Sequence, residues 1–216
     1  MSKRAHFTRL PAQENYVPTA PPADFISASR MAMGGIDFDP YSTPLNNTLI
    51  TARSFFDLKK KSLQEILESD WAVGGKGRTH VFCPFGMDPN RRMLHKTLHE
   101  YRAGRVSQAT FLVTNPETAC KCPWVWDFPI CIPFRRPRLQ WWDDELERFA
   151  SYNPPTWGFL VYFPPQDNTK FLLGLNRFHT AFAPIGRIVF NEFCGDQGWQ
   201  QDYRAAYGKD FAFKRL

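Results

Sequence analysis

Apolar side chains recur along this chain in two patterns, one typical of helices and one typical of strands. Spacings of three and four residues place apolar side chains on one side of a helix. This spacing predicts helices over residues 23–33, 46–56, 63–71, 91–103 and 170–182. Gly34 and Gly35 follow the first of these segments and mark its expected end.

Short apolar runs lie between the predicted helices and indicate strands. They cover residues 36–40, 79–83, 108–114, 128–134, 158–163 and 186–190. Strands that alternate with helices are typical of an α/β fold with a mostly parallel sheet covered on both faces. Such sheets bind ligands beyond the carboxyl ends of their strands. This rule brings together Asp39, residues 82–86, Thr114 and Asn115.

Composition divides the chain into a central domain and two terminal segments. Its 216 residues suit one domain with a core large enough to need neither disulfides nor metal. Residues 1–22 are polar, basic and rich in proline, which predicts an extended arm. Residues 23–190 contain the predicted elements. We expect the aromatic tail, residues 191–216, to pack on this domain.

Charge, cysteine content and hydropathy indicate which partners, metals and cellular compartments this chain is suited to. A formal net charge of +6 permits attraction to nucleic acid without demonstrating it. The five cysteines, without a signal-peptide pattern, predict reduced thiols in a cytoplasmic protein. Cys120 and Cys122 lack the spacing of a zinc site, so we predict no metal. The sequence also has no apolar run long enough for a membrane span, so we expect no membrane partner.

Several segments carry a family resemblance through their order and spacing. They are Tyr16-Val17-Pro18-Thr19-Ala20-Pro21, Ile36-Asp37-Phe38-Asp39-Pro40, Asn46, Ala52-Arg53-Ser54-Phe55-Phe56, residues 100–109 and residues 134–141. Together, over residues 16–190, they resemble the phage-type DNA adenine-N6 methyltransferases, the Dam-like family of bacteriophages and prophages. The resemblance implies a Rossmann-type three-layer α/β sandwich, S-adenosylmethionine as cofactor, and methylation of the exocyclic amine of adenine in DNA.

The resemblance also implies where the cofactor lies. The acidic strand end and the N-terminal segment provide the candidates Asp39, Asp37, Pro18 and Thr19. A carboxylate at a strand end can accept hydrogen bonds from the hydroxyl or amino groups of the cofactor. The alternative is that Asp39 and Pro40 only begin a turn.

Residues Phe82-Cys83-Pro84-Phe85 stand where the family has an Asn/Asp/Ser-Pro-Pro-aromatic motif. By the resemblance, Phe85 stacks on a flipped base and Pro84 fixes a carbonyl that accepts from the amine. Phe82 replaces the polar acceptor of the motif. Because a phenyl ring accepts no such bond, we expect the N6 chemistry to be impaired or lost, by about 10²- to 10³-fold in rate.

Two alternatives to this alignment remain open. A shift by one residue places Cys83 at the polar position, where a thiol is a weak acceptor. A nucleophilic Cys83 is disfavoured, since no base adjoins it and His80 is expected to point to the opposite strand face from Phe82. The segment Asn153-Pro154-Pro155-Thr156-Trp157 resembles the missing motif. It has one extra residue and precedes a strand, which favours a proline-stiffened loop.

The candidates for nucleic-acid binding are Arg135, Arg136, Arg138 and Trp141. Arginines neutralise phosphates, and nearby aromatic rings stack on bases. The alternative is a solvated loop with two core tryptophans, Trp141 and Trp142. We therefore expect a methyltransferase relative that binds DNA, with a protein partner or as a homo-oligomer, in the cytoplasm of a bacterial host. The rival hypotheses are an active enzyme with an altered motif or target, and a phage structural protein that reuses the fold.

Overall fold

The computed structural model describes residues 19–72, 77–83, 86–154 and 158–190. A 3-10 turn, Pro123–Asp127, lies between the fifth helix and the sixth strand. In chain order the elements are β1 (Thr19–Ala20), α1 (Ala23–Met33), β2 (Phe38–Ser42), α2 (Pro44–Ile50), β3 (Ser54–Asp57), α3 (Leu63–Glu68), β4 (Gly77–Phe82), α4 (Met87–Arg102), β5 (Val106–Val113), α5 (Glu117–Lys121), β6 (Ile130–Pro133), β7 (Leu139–Asp143), β8 (Arg148–Tyr152), β9 (Phe159–Phe163), α6 (Asn168–Phe182) and β10 (Gly186–Val189).

The main sheet has seven strands in the order β10-β6-β9-β5-β4-β2-β3. Strands β3, β2, β4 and β5 are mutually parallel. Strand β9 runs antiparallel to both β5 and β6, and β10 runs antiparallel to β6. Strand β6 therefore points the same way as β5. The predicted α/β class is confirmed, with a mixed sheet in which β9 and β10 are reversed. We call the edge where β2, β4, β5 and β6 end the carboxyl edge, and the opposite one the amino edge.

Helices cover both faces of the main sheet and bury two separate apolar clusters. On the α1/α6 face, Phe25 and Phe182 pack with Tyr162, whose ring stacks on Phe178 at a centroid distance of 4.6 Å. On the α3/α4 face, the cluster includes Trp71, Leu94, Leu98, Val81 and Phe111. The resulting arrangement is three layers, helix, sheet and helix. No helix in the described ranges is both long enough and apolar enough to cross a membrane.

The predicted helix over residues 46–56 is wrong in its second half. Helix α2 ends at Ile50, where Thr51 adopts a left-handed conformation with φ 52°. The side chain of Asn47 bonds to both the N–H and the carbonyl of Ala52, so the chain turns there. Strand β3 then pairs with β2. Local side-chain hydrogen bonds therefore stop a helix that the apolar spacing alone would continue.

A second, three-stranded sheet, β1-β7-β8, was not predicted. Strands β7 and β8 form a hairpin between β6 and β9, and the rings of the cross-strand pair Trp142 and Phe149 meet edge to face at 5.2 Å. Strand β1, at the end of the predicted N-terminal arm, pairs with β7. Residues 1–18 of that arm and the tail, residues 191–216, lie outside the described residues.

Candidate functional site

The strand order reverses between β2 and β4. From β2 the chain passes to β3 on one side, then returns to β4 on the other side and continues to β5. Open α/β sheets bind ligands at the carboxyl edge of such a reversal. Pairing between β2 and β4 ends at Phe38 and Thr79, whereas β4 and β5 stay paired up to Phe82 and Leu112. No residue pair joins the described parts of β2 and β4 beyond Phe38 and Thr79.

Asp39 lies where those two strands separate, and its side chain is 0 % exposed. Its Oδ1 atom accepts a hydrogen bond from the N–H of Tyr41 at 2.9 Å. Its Oδ2 atom has no hydrogen-bond partner among the described residues. Burial raises the pKa of the Asp39 carboxyl to about 7, against hydrogen bonding of the carboxyl with the Tyr41 N–H and with the Ser42 side chain. Because an unpaired buried oxygen is costly, Asp39 needs a hydrogen-bond donor.

Unpartnered buried polar atoms also occur in β1 and α2. The Nδ2 atom of Asn46 donates to the carbonyl of Thr19 at 2.9 Å, which ties α2 to β1. Neither the Thr19 hydroxyl nor the Asn46 Oδ1 atom has a partner within the described ranges. Thr19, a predicted cofactor residue, is thus part of a buried polar group. Pro18, predicted with it, lies outside the described residues.

His80 was expected to point to the opposite face from Phe82, and this is wrong. Residues two apart in a strand share a face. The Nδ1 atom of His80 contacts the Thr110 hydroxyl at 2.9 Å, and Thr110 pairs with Tyr162 of the α1/α6 cluster. Burial, together with the charge of Arg30, lowers the pKa of His80 to about 3, so its ring is neutral.

His80 and Asp39 share that face. Each lies one residue beyond the last pair of β2 and β4, and Phe38 packs on the opposite face. The Nε2 atom of His80 has no partner among the described residues. His80 thus adds a second unpartnered buried group beside the strand reversal. No sequence pattern indicated His80 as a site residue, because the register between β2 and β4 is set by the fold.

The degenerate motif shows two buried side chains at its start. Phe82 is 2 % exposed and packs in the α1/α6 cluster. Cys83 packs in the cluster on the opposite face, and burial raises its pKa to about 12, so the thiol stays protonated near neutral pH. Pro84 and Phe85 lie outside the described residues. Neither Phe82 nor Cys83 therefore supplies the hydrogen-bond acceptor that the motif requires.

Asn90, in the first turn of α4, is a site residue that sequence reasoning missed. Its Nδ2 atom lies 2.9 Å from the carbonyl of Cys83, 3.2 Å from the carbonyl of Gly86 and 2.9 Å from the Thr114 hydroxyl. Its Oδ1 atom accepts from the N–H of Thr114 at 3.1 Å. This buried amide fixes the backbone on both sides of residues 84–85 and joins it to the end of β5.

Asp37, the second predicted acidic residue, is held by ion pairs. Its Oδ2 atom lies 2.6 Å from the Nε atom of Arg78, and its Oδ1 atom accepts from the Nη2 atom at 2.8 Å. Arg53 lies 3.4 Å from the same carboxylate. The hydrogen bonds from Arg78 lower the pKa of Asp37. Asp37 stands before β2, at the amino edge, and its oxygens are already in use.

The basic segment lies at the carboxyl edge, directly after β6. Arg135, Arg136 and Arg138 are exposed, and the Nη1 atom of Arg136 donates to the carbonyl of Pro154 at 3.3 Å. Trp141 is half-buried in β7, where it pairs with Thr19. One strand pair therefore contains a predicted cofactor residue and a predicted nucleic-acid residue.

Asn153 and Pro154 also lie at this edge. They lead into β9, and because β9 is reversed, the segment that precedes it lies where β5 ends. A Cβ atom on Gly158 would meet the carbonyl oxygen of Val113 at 1.7 Å, so glycine permits this close approach. A position before a strand is therefore compatible with a place for Asn153 and Pro154 at this edge. Asn153 itself is exposed, and neither residue is in a helix or strand.

Other candidate chemistry is limited in the part of the chain that the structure describes. It contains no group of three or more His, Cys, Asp or Glu side chains arranged to hold a metal ion.

Comparisons with known proteins found no match for this chain among family models, curated proteins or solved structures.

Proposed function

We propose that this protein is an S-adenosylmethionine-binding, methyltransferase-fold relative of the phage-type DNA adenine-N6 methyltransferases, with impaired or lost N6 chemistry. The observation that carries the proposal is the buried Asp39 Oδ2 atom, which lacks a partner among the described residues at the point where the strand order reverses. A ligand with hydroxyl or amino donors satisfies this oxygen. The family resemblance supplies the identity of that ligand.

The surrounding polar groups support the same ligand class. The Thr19 hydroxyl and the Asn46 carbonyl oxygen add a donor and acceptors within the N-terminal part of the fold. S-adenosylmethionine bears an amino group, a carboxylate and ribose hydroxyls, which match a mixed set of this kind. Asp37 is not needed for binding in this proposal, since Arg78 uses its oxygens.

Loss of the N6 chemistry rests on Phe82 and Cys83. Phe82 is an apolar core residue, and the Cys83 carbonyl already accepts a bond from Asn90. An adenine amine at this position would find no side-chain acceptor at residue 82, so its nitrogen would not be activated. The protein would keep its affinity for cofactor and DNA, with Arg135, Arg136 and Arg138 as the DNA contacts.

Calorimetry with S-adenosylmethionine tests the cofactor part of the proposal. We expect saturable binding by the wild-type protein, and at least about tenfold weaker binding by Asp39→Asn, because a hydrogen bond to a charged group is lost. Asp127→Asn is the matched control, since Asp127 is exposed and lies outside the site. Absence of binding at millimolar cofactor would refute the proposal.

A transfer assay with labelled cofactor and DNA tests the chemistry. We expect no label in adenine with the wild-type protein, and a gain of label with Phe82→Asn, which restores a polar acceptor. Label in adenine with the wild-type protein that disappears in Phe85→Ala would contradict lost chemistry.

An active enzyme with an altered motif is the second candidate. The observation that favours it is that Asn153 lies at the same edge as the degenerate motif and carries the missing amide. In that case Asn153→Ala abolishes transfer of label while leaving cofactor binding intact. If wild-type transfer is found and survives Asn153→Ala, Asn153 is excluded as the source of the missing acceptor.

A further inference from the structure

Phe134 is the most exposed of the large apolar side chains that the structure describes, at 67 %. Its backbone is fixed, because its N–H donates to the carbonyl of Ile185 at 3.1 Å, directly after β6. A single exposed ring needs no explanation by itself. The exposure of Phe134 becomes informative together with the charged residues that follow it in the sequence.

Three exposed arginines follow this ring within four residues: Arg135, Arg136 and Arg138. Within the described ranges, none of them forms a salt bridge with a carboxylate. The bond from Arg136 to the Pro154 carbonyl positions that guanidinium and leaves other N–H groups to donate. Phe134 is thus followed by three positive charges that no described carboxylate pairs with.

The charge changes sign along the β7–β8 hairpin. Its tip contains Asp143, Asp144, Glu145 and Glu147, with Arg148 as the one basic residue between Asp143 and Tyr152. Strand β7 separates the arginines from this tip by about 17 Å, at about 3.4 Å per residue over its five residues. Phosphates are attracted at the base of the hairpin and repelled at its tip.

We infer that Phe134, Arg135, Arg136 and Arg138 form a binding surface for an unpaired strand of nucleic acid. The ring of Phe134 stacks on one base, and the arginines neutralise the flanking phosphates. A base inside a duplex is covered on both faces by its neighbours, so it stacks on Phe134 only after it leaves the helix. The second strand of a duplex would also bring phosphates toward the acidic tip.

This inference rests on the nucleic-acid part of the proposed function and not on its cofactor. It goes beyond that part by assigning Phe134 and a preference for unpaired strands. Stacking and phosphate contacts act on DNA and RNA alike, so the shared chemistry is an unpaired, negatively charged strand with accessible base faces.

Fluorescence anisotropy without cofactor tests the inference with three probes of one sequence: a 12-nucleotide single-stranded DNA, the same RNA, and the DNA duplex. We expect both single strands to bind at least about tenfold more tightly than the duplex. Phe134→Ala should weaken single-strand binding by about 5- to 150-fold, which corresponds to one stacked base. Leu146→Ala is the matched control, because Leu146 is an exposed apolar residue at the acidic tip. It should leave binding unchanged.

Salt dependence tests the arginines separately. Replacing Arg135, Arg136 and Arg138 by alanine should reduce the slope of log affinity against log salt by about 2, at about 0.7 per phosphate contact. Because Phe134 and these arginines are exposed, circular dichroism should show unchanged folding in both variants.

Several results would overturn the inference: tighter binding of the duplex than of the single strands, unchanged binding in Phe134→Ala, or an unchanged salt slope. Equal affinity for polyglutamate, also insensitive to Phe134→Ala, would instead make this surface a docking site for an acidic protein. Single-strand binding by a protein that does not bind S-adenosylmethionine would support the inference and refute the cofactor proposal. The anisotropy and calorimetry experiments therefore distinguish failure of the single-strand inference from failure of the cofactor proposal.

Discussion

Asp37 and Asp39 are two residues apart, yet their carboxylates have different surroundings. At the amino edge, Asp37 gives both oxygens to Arg78, which also donates to the carbonyl of Gly34. Asp39, the second residue of β2, is fully buried, and one of its oxygens lacks a partner in the described part of the chain. The ion pairs of Asp37 hold the strands together. The unsatisfied oxygen of Asp39 costs stability unless something binds to it.

The amino edge repeats this pattern at the start of β5. The buried Glu100 carboxylate lies 2.6 Å from the Nζ atom of Lys96 and 2.6 Å from the Nε atom of Arg105. The N–H of Trp71 also points at it, at 3.4 Å. Asp37 and Glu100 are therefore acidic residues that stabilise the fold, whereas Asp39 is suited to bind a ligand. Substitutions at these positions should have different effects on stability.

The largest effect is expected at the amino edge. Glu100→Ala should lower the free energy of unfolding by about 3 kcal/mol or more, because it leaves two cations without their buried partner. Urea unfolding measures this loss. Glu117→Gln is the control, since Glu117 is exposed and should change stability by less than about 0.5 kcal/mol. A loss below about 1 kcal/mol for Glu100→Ala would mean that the ion pairs do not lock this edge.

At the carboxyl edge, Asn90→Ala should cost about 1–3 kcal/mol, because the carbonyl of Cys83 and the N–H of Thr114 each lose a hydrogen bond. Hydrogen exchange should also show faster exchange of the Thr114 amide. Asn176→Ala on α6 is the control. If Asn90→Ala loses stability while exchange at Thr114 stays unchanged, Asn90 does not fix the motif backbone.

The two aspartates should have opposite pH dependences. The pKa of Asp39 is about 7 in the folded protein and 3.8 in the reference state, so the folded state binds the proton more tightly. Its contribution to stability is complete below pH 4 and is lost as pH rises through 7, by at most about 1.4 kcal/mol per pH unit. Asp39→Asn removes this loss, and the variant should exceed the wild type in stability above pH 7.

For Asp37 the sign is reversed, because Arg78 lowers its folded pKa. Its contribution is present above the unfolded pKa and is lost as pH falls through the folded pKa. Asp37→Asn should therefore be less stable than the wild type at pH 7, and the difference should shrink in acid. Denaturation across pH 3 to 8 measures both variants, and parallel curves for the two would contradict the comparison.

The smallest effect is expected at Arg53. Its side chain is 78 % exposed, and its contact with Asp37 is 3.4 Å. Exposed ion pairs contribute little, so Arg53→Ala should change the unfolding free energy by less than about 0.5 kcal/mol. A larger loss would show that Arg53, as well as Arg78, is needed to hold Asp37 in place.

Local signals predicted part of this fold well. Helix α1 begins and ends within residues 23–33 as predicted, because its apolar spacing agrees with the left-handed Gly34 that ends it. The β7–β8 hairpin was missed, since its tryptophans suggested either core or stacking residues and the arginines before it suggested a loop. Gln140 of β7 pairs with Ala20 of β1, which is 120 residues earlier in the chain, whereas β8 follows β7 after one turn.

The sequence predicted residues of the candidate site only where they belong to a segment that resembles a family motif. Asp39 was predicted, but its missing partner depends on how β2 and β4 separate, which no local pattern encodes. Asn90 and His80 were not predicted as site residues, because a single Asn in a helix or His in a strand has no distinctive spacing. Their roles follow from contacts with Thr114 and Thr110 on the neighbouring strand.

The central claim is that the free oxygen of Asp39 accepts a hydrogen bond from the cofactor. Carboxyl-carbon NMR of labelled aspartate, assigned with Asp39→Asn, measures the pKa of Asp39 directly. We predict a pKa near 7 without cofactor, and a clear decrease with saturating S-adenosylmethionine, because donors to the carboxylate favour its charged form. An Asp39 pKa that saturating S-adenosylmethionine leaves unchanged would contradict the claim.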